Sequence, residues 1–176
     1  MNIFVTNINP VIAARELCDQ HCRSKMQIES AILLQHCFND HILLTAPPTK
    51  KGLPRKAGKG YFNHPCAVWV RESKQNFEWL VEHTLEMFNE RDRRWPQSAQ
   101  HFTKTFIEWC RDNINRTVYC KQTKLTPFAV AINKDSVCRT QVAGFSNTPI
   151  TEQYQWYIKF DKPFATWSNC SKPGWY

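Results

Sequence analysis

Apolar side chains at helical spacing, in three separate segments, are the feature that most limits how this chain folds. The segment 64–94 carries them every three or four residues, at Phe77, Leu80, Val81, Leu85 and Phe88. The segments 26–44 and 98–114 have the same period, which is typical of helices with one buried face. Shorter helices are expected over residues 10–21 and 151–167. We therefore expect a mainly α, compact helical fold, with residues 1–176 forming a single domain.

Two stretches break this helical pattern. Residues 45–64 contain three prolines, three glycines and no acidic residue, which predicts a mobile basic loop. Its five cations are Lys50, Lys51, Arg55, Lys56 and Lys59. They indicate either a solvated surface or a loop that binds phosphates, and the sequence does not choose between the two. Residues 115–149, which include Pro127, Gly144 and Pro149, are expected to be an irregular insertion.

Charge and composition narrow the class of partner. Lys and Arg total 23 against 15 Asp and Glu, and this net charge of +8 favours an anionic partner, either nucleic acid, nucleotide or a membrane surface. No apolar run is long enough to span a membrane, and the first residues, with Asn2, Asn7 and Asn9, do not resemble a signal peptide. We expect a cytoplasmic protein. The 8 cysteines lack close CxxC pairs, which favours buried thiols over a metal site, and no cofactor is implied.

A carboxylate among apolar neighbours is the first candidate for chemistry. Glu29 lies in an apolar stretch, one helical turn after Lys25. Burial would raise the pKa of such a carboxyl and a nearby lysine would lower it, so the group could act as an acid or a base. The alternative is an ordinary ion pair between positions i and i+4. His21, at the end of the preceding helix, is the nearest candidate partner.

A second polar group is expected where two helical segments meet. His64, Trp69, Arg71, Glu72 and Asn76 fall within thirteen residues, and together they favour a substrate-binding site at the junction. Arg71 could hold a phosphate and Glu72 could act as a second carboxylate or orient Lys25. The alternatives are an ion pair that locks the two helices together, with Trp69 in the core.

Two motifs resemble a known family. The stretch CDQHCRSKMQIESAILL, which begins at Cys18, resembles the start of the phage-type pyrimidine-dimer DNA glycosylases. It is closer to phage and bacterial relatives with the pattern CDKHxxKMxxESAQLL, and NHPCAVWVRESKQNFEWLVE resembles their HPCxxWxRESxxNYxWL block. A weaker likeness lies near the C-terminus, at Tyr154, Tyr157, Lys162 and Trp167. Residues 95–150 are not covered.

The resemblance implies a helical DNA-repair fold that cleaves the N-glycosidic bond of a damaged base. An early glutamate in that family stabilises the cationic intermediate, and Glu29 matches it once one gap is allowed. His21 matches a substrate-contacting histidine. The family nucleophile is the amine of a small residue exposed by removal of Met1, whereas here position 2 is Asn2, which favours retention of Met1. Lys25, or a water activated by Glu29, are the alternatives.

The prediction is thus a DNA-acting glycosylase, with AP-lyase activity as an option. Its basic loop is expected to bind the DNA phosphates. Two alternatives stay open. One is a non-catalytic phage protein on the same fold that binds nucleic acid or a host partner. The other is an enzyme that acts on free nucleotides or RNA.

Overall fold

The computed structural model describes residues 1–58 and 60–176 and confirms a mainly α-helical fold. Lys59, one of the predicted phosphate contacts, lies outside the described residues. The α-helices are α1 (Pro10–Arg15), α2 (Met26–Gln35), α3 (Asp40–Leu43), α4 (Pro65–Glu72), α5 (Lys74–Arg94), α6 (Lys104–Asp112), α7 (Val137–Gln141) and α8 (Ile150–Asp161). Among the described residues there are also one π-helical turn (His21–Lys25) and two 3-10 turns (Ile114–Arg116 and Phe145–Asn147). In the described part of the chain, the β structure is an isolated bridge between Ser73 and Gln122.

The long helix α5 is the centre of the fold, and α1, α2, α4 and α6 pack around it. Its buried positions include the apolar residues whose period predicted a helix, among them Phe77, Leu80 and Phe88. The predicted segment 64–94 is nevertheless two helices, because Ser73 has an extended backbone and separates α4 from α5. The Ser73 hydroxyl accepts a hydrogen bond from the Asn76 N–H at 3.0 Å and so caps α5.

The predicted helix 26–44 also differs from the observed one at both ends. The π-helical turn His21–Lys25 runs directly into α2, which therefore starts without a side-chain cap. The Ser24 hydroxyl of this turn lies 3.0 Å from His101 Nε2. At the other end α2 stops at Gln35, and Asn39 starts the separate helix α3 by accepting the Ile42 N–H at 3.0 Å.

The remaining helices are shorter than their predicted segments. Helix α6 begins at Lys104 rather than Ser98, and α8 ends at Asp161 rather than near Trp167. Residues 115–149 are largely irregular, as predicted, apart from α7 and the two 3-10 turns. After α8 the chain folds back, and the Asp19 N–H donates to the Thr166 carbonyl at 2.8 Å. The C-terminal segment is therefore held against the turn that precedes α2.

Seven of the eight cysteines are buried and all eight are free, in line with their expected role as small core side chains. Over the ranges 1–58 and 60–176, no helix combines the length and hydropathy needed to cross a bilayer. Within those same ranges no group of three or more His, Cys, Asp or Glu side chains is arranged to hold a metal ion.

Candidate functional site

The first residues of the chain lie inside the fold, next to α2. Ile3, Phe4 and Val5 are buried, which removes the apolar surface of this run from water. Asn2 fixes their position. Its side-chain oxygen accepts the Tyr154 hydroxyl at 2.8 Å, and its amide nitrogen donates to the Ala131 carbonyl at 3.2 Å. Both ends of the chain therefore contribute to one region of the protein.

Glu29 of α2 is the centre of this region. Its Oε2 accepts the Asn2 backbone N–H at 2.9 Å and lies 3.9 Å from the amino group of Met1. Its Oε1 lies 3.9 Å from Lys25 Nζ, and the side chain is 18% exposed. The predicted ion pair between Lys25 and Glu29 is present, but it is one of three contacts on the same carboxylate. The arrangement holds a half-buried negative group between two amines, with a path to solvent.

His21 forms part of the wall beside Glu29. Its ring stacks on Phe4 with the centroids 4.1 Å apart, and Phe164 meets it edge-on at 5.8 Å. Burial lowers the pKa of His21 to about 3, and the nearby charges of Lys162 and Lys25 act in the same direction. At neutral pH the imidazole is uncharged, so it can offer a hydrogen bond to a ligand but does not bring a positive charge.

The space in front of Glu29 is an open pocket of about 270 Å³. This volume is close to the lower limit, about 300 Å³, for small-molecule sites. Tyr157 and Lys162, which sequence reasoning did not select as site residues, also line the pocket. Lys162 Nζ donates to the Tyr157 hydroxyl at 2.9 Å and lies 4.2 Å above its ring. The C-terminal likeness to the glycosylase relatives included both residues and was the signal that could have identified them.

His64 lies near enough to Glu29 and the N-terminus for their charges to act on it. It caps α4, where its Nδ1 accepts the Cys66 N–H at 3.2 Å. Burial lowers the pKa of His64, and the positive N-terminus lowers it further, whereas the Glu29 carboxylate opposes the shift. His64 is therefore the member of the second predicted group that senses the charges of this pocket.

Trp69 and Asn76 of that group are structural residues. Trp69 is buried, and its ring stacks on Phe128 at 5.0 Å. The fully buried Asn76 donates from Nδ2 to the Trp69 carbonyl and to the Thr126 hydroxyl, both at 2.7 Å, and accepts the Thr126 N–H at 2.9 Å. Glu72 accepts the Thr126 hydroxyl proton at 2.8 Å. These contacts attach the irregular segment after α6 to the junction between α4 and α5.

Arg71 contacts the loop that precedes α4. Its guanidinium lies 3.4 Å above the Phe62 ring and donates to the Phe62 carbonyl at 2.7 Å. Tyr119 contributes a second aromatic ring at 5.6 Å. The five residues predicted to form one substrate site are thus divided among the cap of α4, the core and loop packing.

The cations of the basic loop also differ in their exposure to solvent. Arg55 is only 6% exposed, because its guanidinium lies 3.7 Å above the Phe106 ring and donates to the Pro47 carbonyl at 2.8 Å. A phosphate contact is expected to face solvent, whereas Arg55 is buried. Lys50, Lys51 and Lys56 are exposed. The first two border a groove of about 340 Å³ whose floor is apolar.

A scan against protein-family models, a search of curated proteins and a search of solved structures each gave no match to this chain. Inference about its function therefore depends on the geometry of the site. The main element of that geometry is the half-buried Glu29 carboxylate between the amines of Met1 and Lys25, at the base of an open pocket.

Proposed function

We propose that this protein is a DNA glycosylase that removes a damaged or modified base, with Glu29 as its catalytic carboxylate. The observation that carries the proposal is the pair of amines, of Met1 and Lys25, each 3.9 Å from one oxygen of Glu29. The pocket is open to solvent and small enough to take a single sugar or base at a time.

Cleavage of an N-glycosidic bond needs a negative group of this kind. The bond between C1′ and the base nitrogen breaks, its electron pair leaves with the base, and positive charge develops on the sugar. A fixed carboxylate beside C1′ stabilises that charge, since it is already oriented and partly shielded from water. The Asn2 N–H, at 2.9 Å from Oε2, keeps the Glu29 carboxylate oriented.

Two routes complete the reaction. In the first, Glu29 takes a proton from a water molecule whose oxygen bonds to C1′, which leaves an abasic sugar. In the second, an amine that has lost a proton forms a bond to C1′ as the base leaves, and the C1′–O4′ bond then breaks to give the Schiff base. Loss of a C2′ proton with departure of the 3′ phosphate cuts the strand. Lys25 and Met1 are both candidates for this nitrogen, because they lie equally far from the carboxylate that would accept the proton.

The substitution Glu29→Gln tests the proposal. The amide keeps the size of the side chain but removes the charge, so turnover on a panel of modified-base duplexes should fall by about 10²–10³-fold while DNA binding is retained. Glu152→Gln, which neutralises an exposed glutamate of α8, is the matched control and should leave turnover unchanged. Unchanged turnover in Glu29→Gln, or joint loss of turnover and binding, would contradict the catalytic role.

Borohydride trapping on a duplex with one abasic site distinguishes the two routes. A covalent adduct mapped to Met1 or Lys25 identifies the amine that reacts. Binding without an adduct supports the water route.

Exposed lysines on the loop favour a second candidate, a protein that binds nucleic acid without chemistry. Lys50 and Lys51 border an apolar groove, and Lys50 Nζ lies 5.4 Å above the Phe102 ring, an arrangement suited to phosphates beside bases. For such a protein, replacing Lys50, Lys51 and Lys56 by alanine should abolish nucleic-acid binding, whereas Glu29→Gln should have no effect on any function.

A further inference from the structure

We infer that the Glu29 pocket is one end of a longer groove for a nucleic-acid strand, in which Phe164 stacks on one base and Lys162, Lys25 and Arg23 contact the phosphates on either side. The inference rests on the proposed function only in taking nucleic acid as the ligand. It concerns binding and assigns no step of the cleavage reaction.

The groove consists of two adjoining pockets. The first is the Glu29 pocket, and the second is a larger one of about 520 Å³ that Phe164 also lines. Gln20, Lys25 and Phe164 line both, so the two spaces share a wall and open side by side. Together they are larger than one nucleotide needs, which favours a strand over a free nucleotide.

The charges along this groove are predominantly positive. Arg23 and Lys25 are exposed, and Arg23 is held with its guanidinium 4.7 Å above the Trp95 ring. Asp19 also lines the second pocket, but its oxygens accept hydrogen bonds from Arg94 at 3.3 Å and from the Ser168 hydroxyl at 2.7 Å. Because the charge of Asp19 is compensated within the protein, a bound phosphate faces the cations.

Phe164 occupies the wall between the two pockets and is 42% exposed despite its size. Its edge meets the buried His21 ring at 5.8 Å, which leaves part of the phenyl group free. The backbone around it is fixed by the Ala165 N–H bond to the Lys162 carbonyl at 2.9 Å and by the Thr166 carbonyl bond to Asp19. A fixed and exposed ring between cations is the arrangement with which proteins stack the bases of single strands.

Binding of a short single-stranded oligonucleotide that carries a central 2-aminopurine tests this inference. The protein carries Glu29→Gln so that cleavage does not interfere, anisotropy gives the affinity, and quenching of 2-aminopurine reports stacking. Phe164→Ala should weaken binding by about tenfold or more and abolish the quenching. Phe160→Ala, which removes a ring that is 40% exposed on α8, is the matched control and should change neither.

The lysine contact is tested by the dependence of affinity on salt. Lys162→Ala should reduce the slope of log K against log salt by about 0.7, the value for one phosphate contact on a single strand. Lys159→Ala removes a neighbouring exposed lysine and should leave the slope unchanged. Phe164→Leu keeps an apolar side chain without an aromatic face, so it should also abolish quenching even if Phe164→Ala fails to fold.

Three results would overturn the inference. They are equal affinity of the Phe164 and Phe160 variants, an unchanged salt slope in Lys162→Ala, and equal binding of the oligonucleotide and of free nucleotide. If the wild type cleaves DNA but Phe164 has no effect on binding, the glycosylase proposal stands and this inference fails. If binding depends on Phe164 but the wild type cleaves no substrate, the groove stands and the glycosylase proposal fails.

Discussion

Arg94 is a fully buried cation, and its replacement by alanine should produce a large loss of stability. Its Nε donates to Glu90 Oε1 at 2.6 Å, and Nη1 donates to the Leu17 carbonyl at 2.9 Å and to Asp19 Oδ1 at 3.3 Å. Nη2 donates to the Arg15 carbonyl at 2.8 Å. One side chain thus joins the end of α5 to the end of α1 and to the turn before α2.

The size of the effect follows from what the substitution leaves behind. In Arg94→Ala the Glu90 carboxylate, which is 1% exposed, would stay buried without this partner. Removal of one member of a buried ion pair costs about 3–5 kcal/mol. For a protein of this length each kcal/mol lowers the melting temperature by about 2–4 °C, so we expect a decrease of about 6–20 °C.

Thermal and urea unfolding followed by circular dichroism measure this effect. Arg111→Ala is the matched control, because Arg111 is exposed and pairs with the exposed Asp112, and such a pair contributes at most about 1 kcal/mol. The double variant Arg94→Met/Glu90→Gln should recover part of the lost stability, since it also removes the buried Glu90 charge, whose other ion-pair partner, Arg93, is 55% exposed. A loss below about 1 kcal/mol in Arg94→Ala would refute the reasoning, as would the absence of any recovery in the double variant.

Two further predictions concern buried titratable groups. Burial lowers the pKa of His83 to about 3. Between pH 6.5 and about 3 the unfolded chain therefore binds a proton that the folded chain does not. As the pH falls through this range, the free energy of unfolding should decrease by about 1.4 kcal/mol per pH unit. Urea titrations should show a shallower pH dependence for His83→Leu than for the wild type or for the exposed-site control His41→Gln; equal slopes would contradict this. Iodoacetamide should label the half-exposed Cys170 in the native protein, but Cys22 and Cys66 only after unfolding. Burial blocks access to Cys22 and Cys66, and it raises the pKa of Cys22 to about 12 and that of Cys66 to about 11. Peptide mapping shows which cysteines are labelled before and after unfolding. Rapid labelling of Cys66 in the native protein would contradict the prediction.

The helices could be predicted from the sequence, but not all of their ends. The period of Phe77, Leu80 and Phe88 is a local property of α5, and it predicted that helix correctly. The break at Ser73 depends on a residue far along the chain, since the Lys74 N–H donates to the Gln122 carbonyl at 2.8 Å. No pattern within the segment 64–94 contains that contact.

The candidate site shows the same division between local and distant contacts. Lys25 and Glu29 could be paired from sequence because positions i and i+4 of one helix are neighbours. The approach of Asn2 to Glu29, and of Lys162 to the same pocket, requires the fold to bring together both ends of the chain. Arg55 was grouped with the exposed lysines because composition does not reveal that an aromatic ring, Phe106, lies beneath its guanidinium.

Asp19 connects the stability of the protein with the proposed groove. It accepts hydrogen bonds from the buried Arg94 on one side and from the Ser168 N–H and hydroxyl on the other. Since Ser168 and Thr166 belong to the segment that carries Phe164, the position of this ring depends on the same cluster that joins α1 to α5. Asp19→Asn should therefore weaken binding of the oligonucleotide through the position of Phe164, although it makes the groove more positive. If the added positive charge were the dominant effect, the variant would bind more tightly, and the sign of the change in affinity distinguishes the two causes.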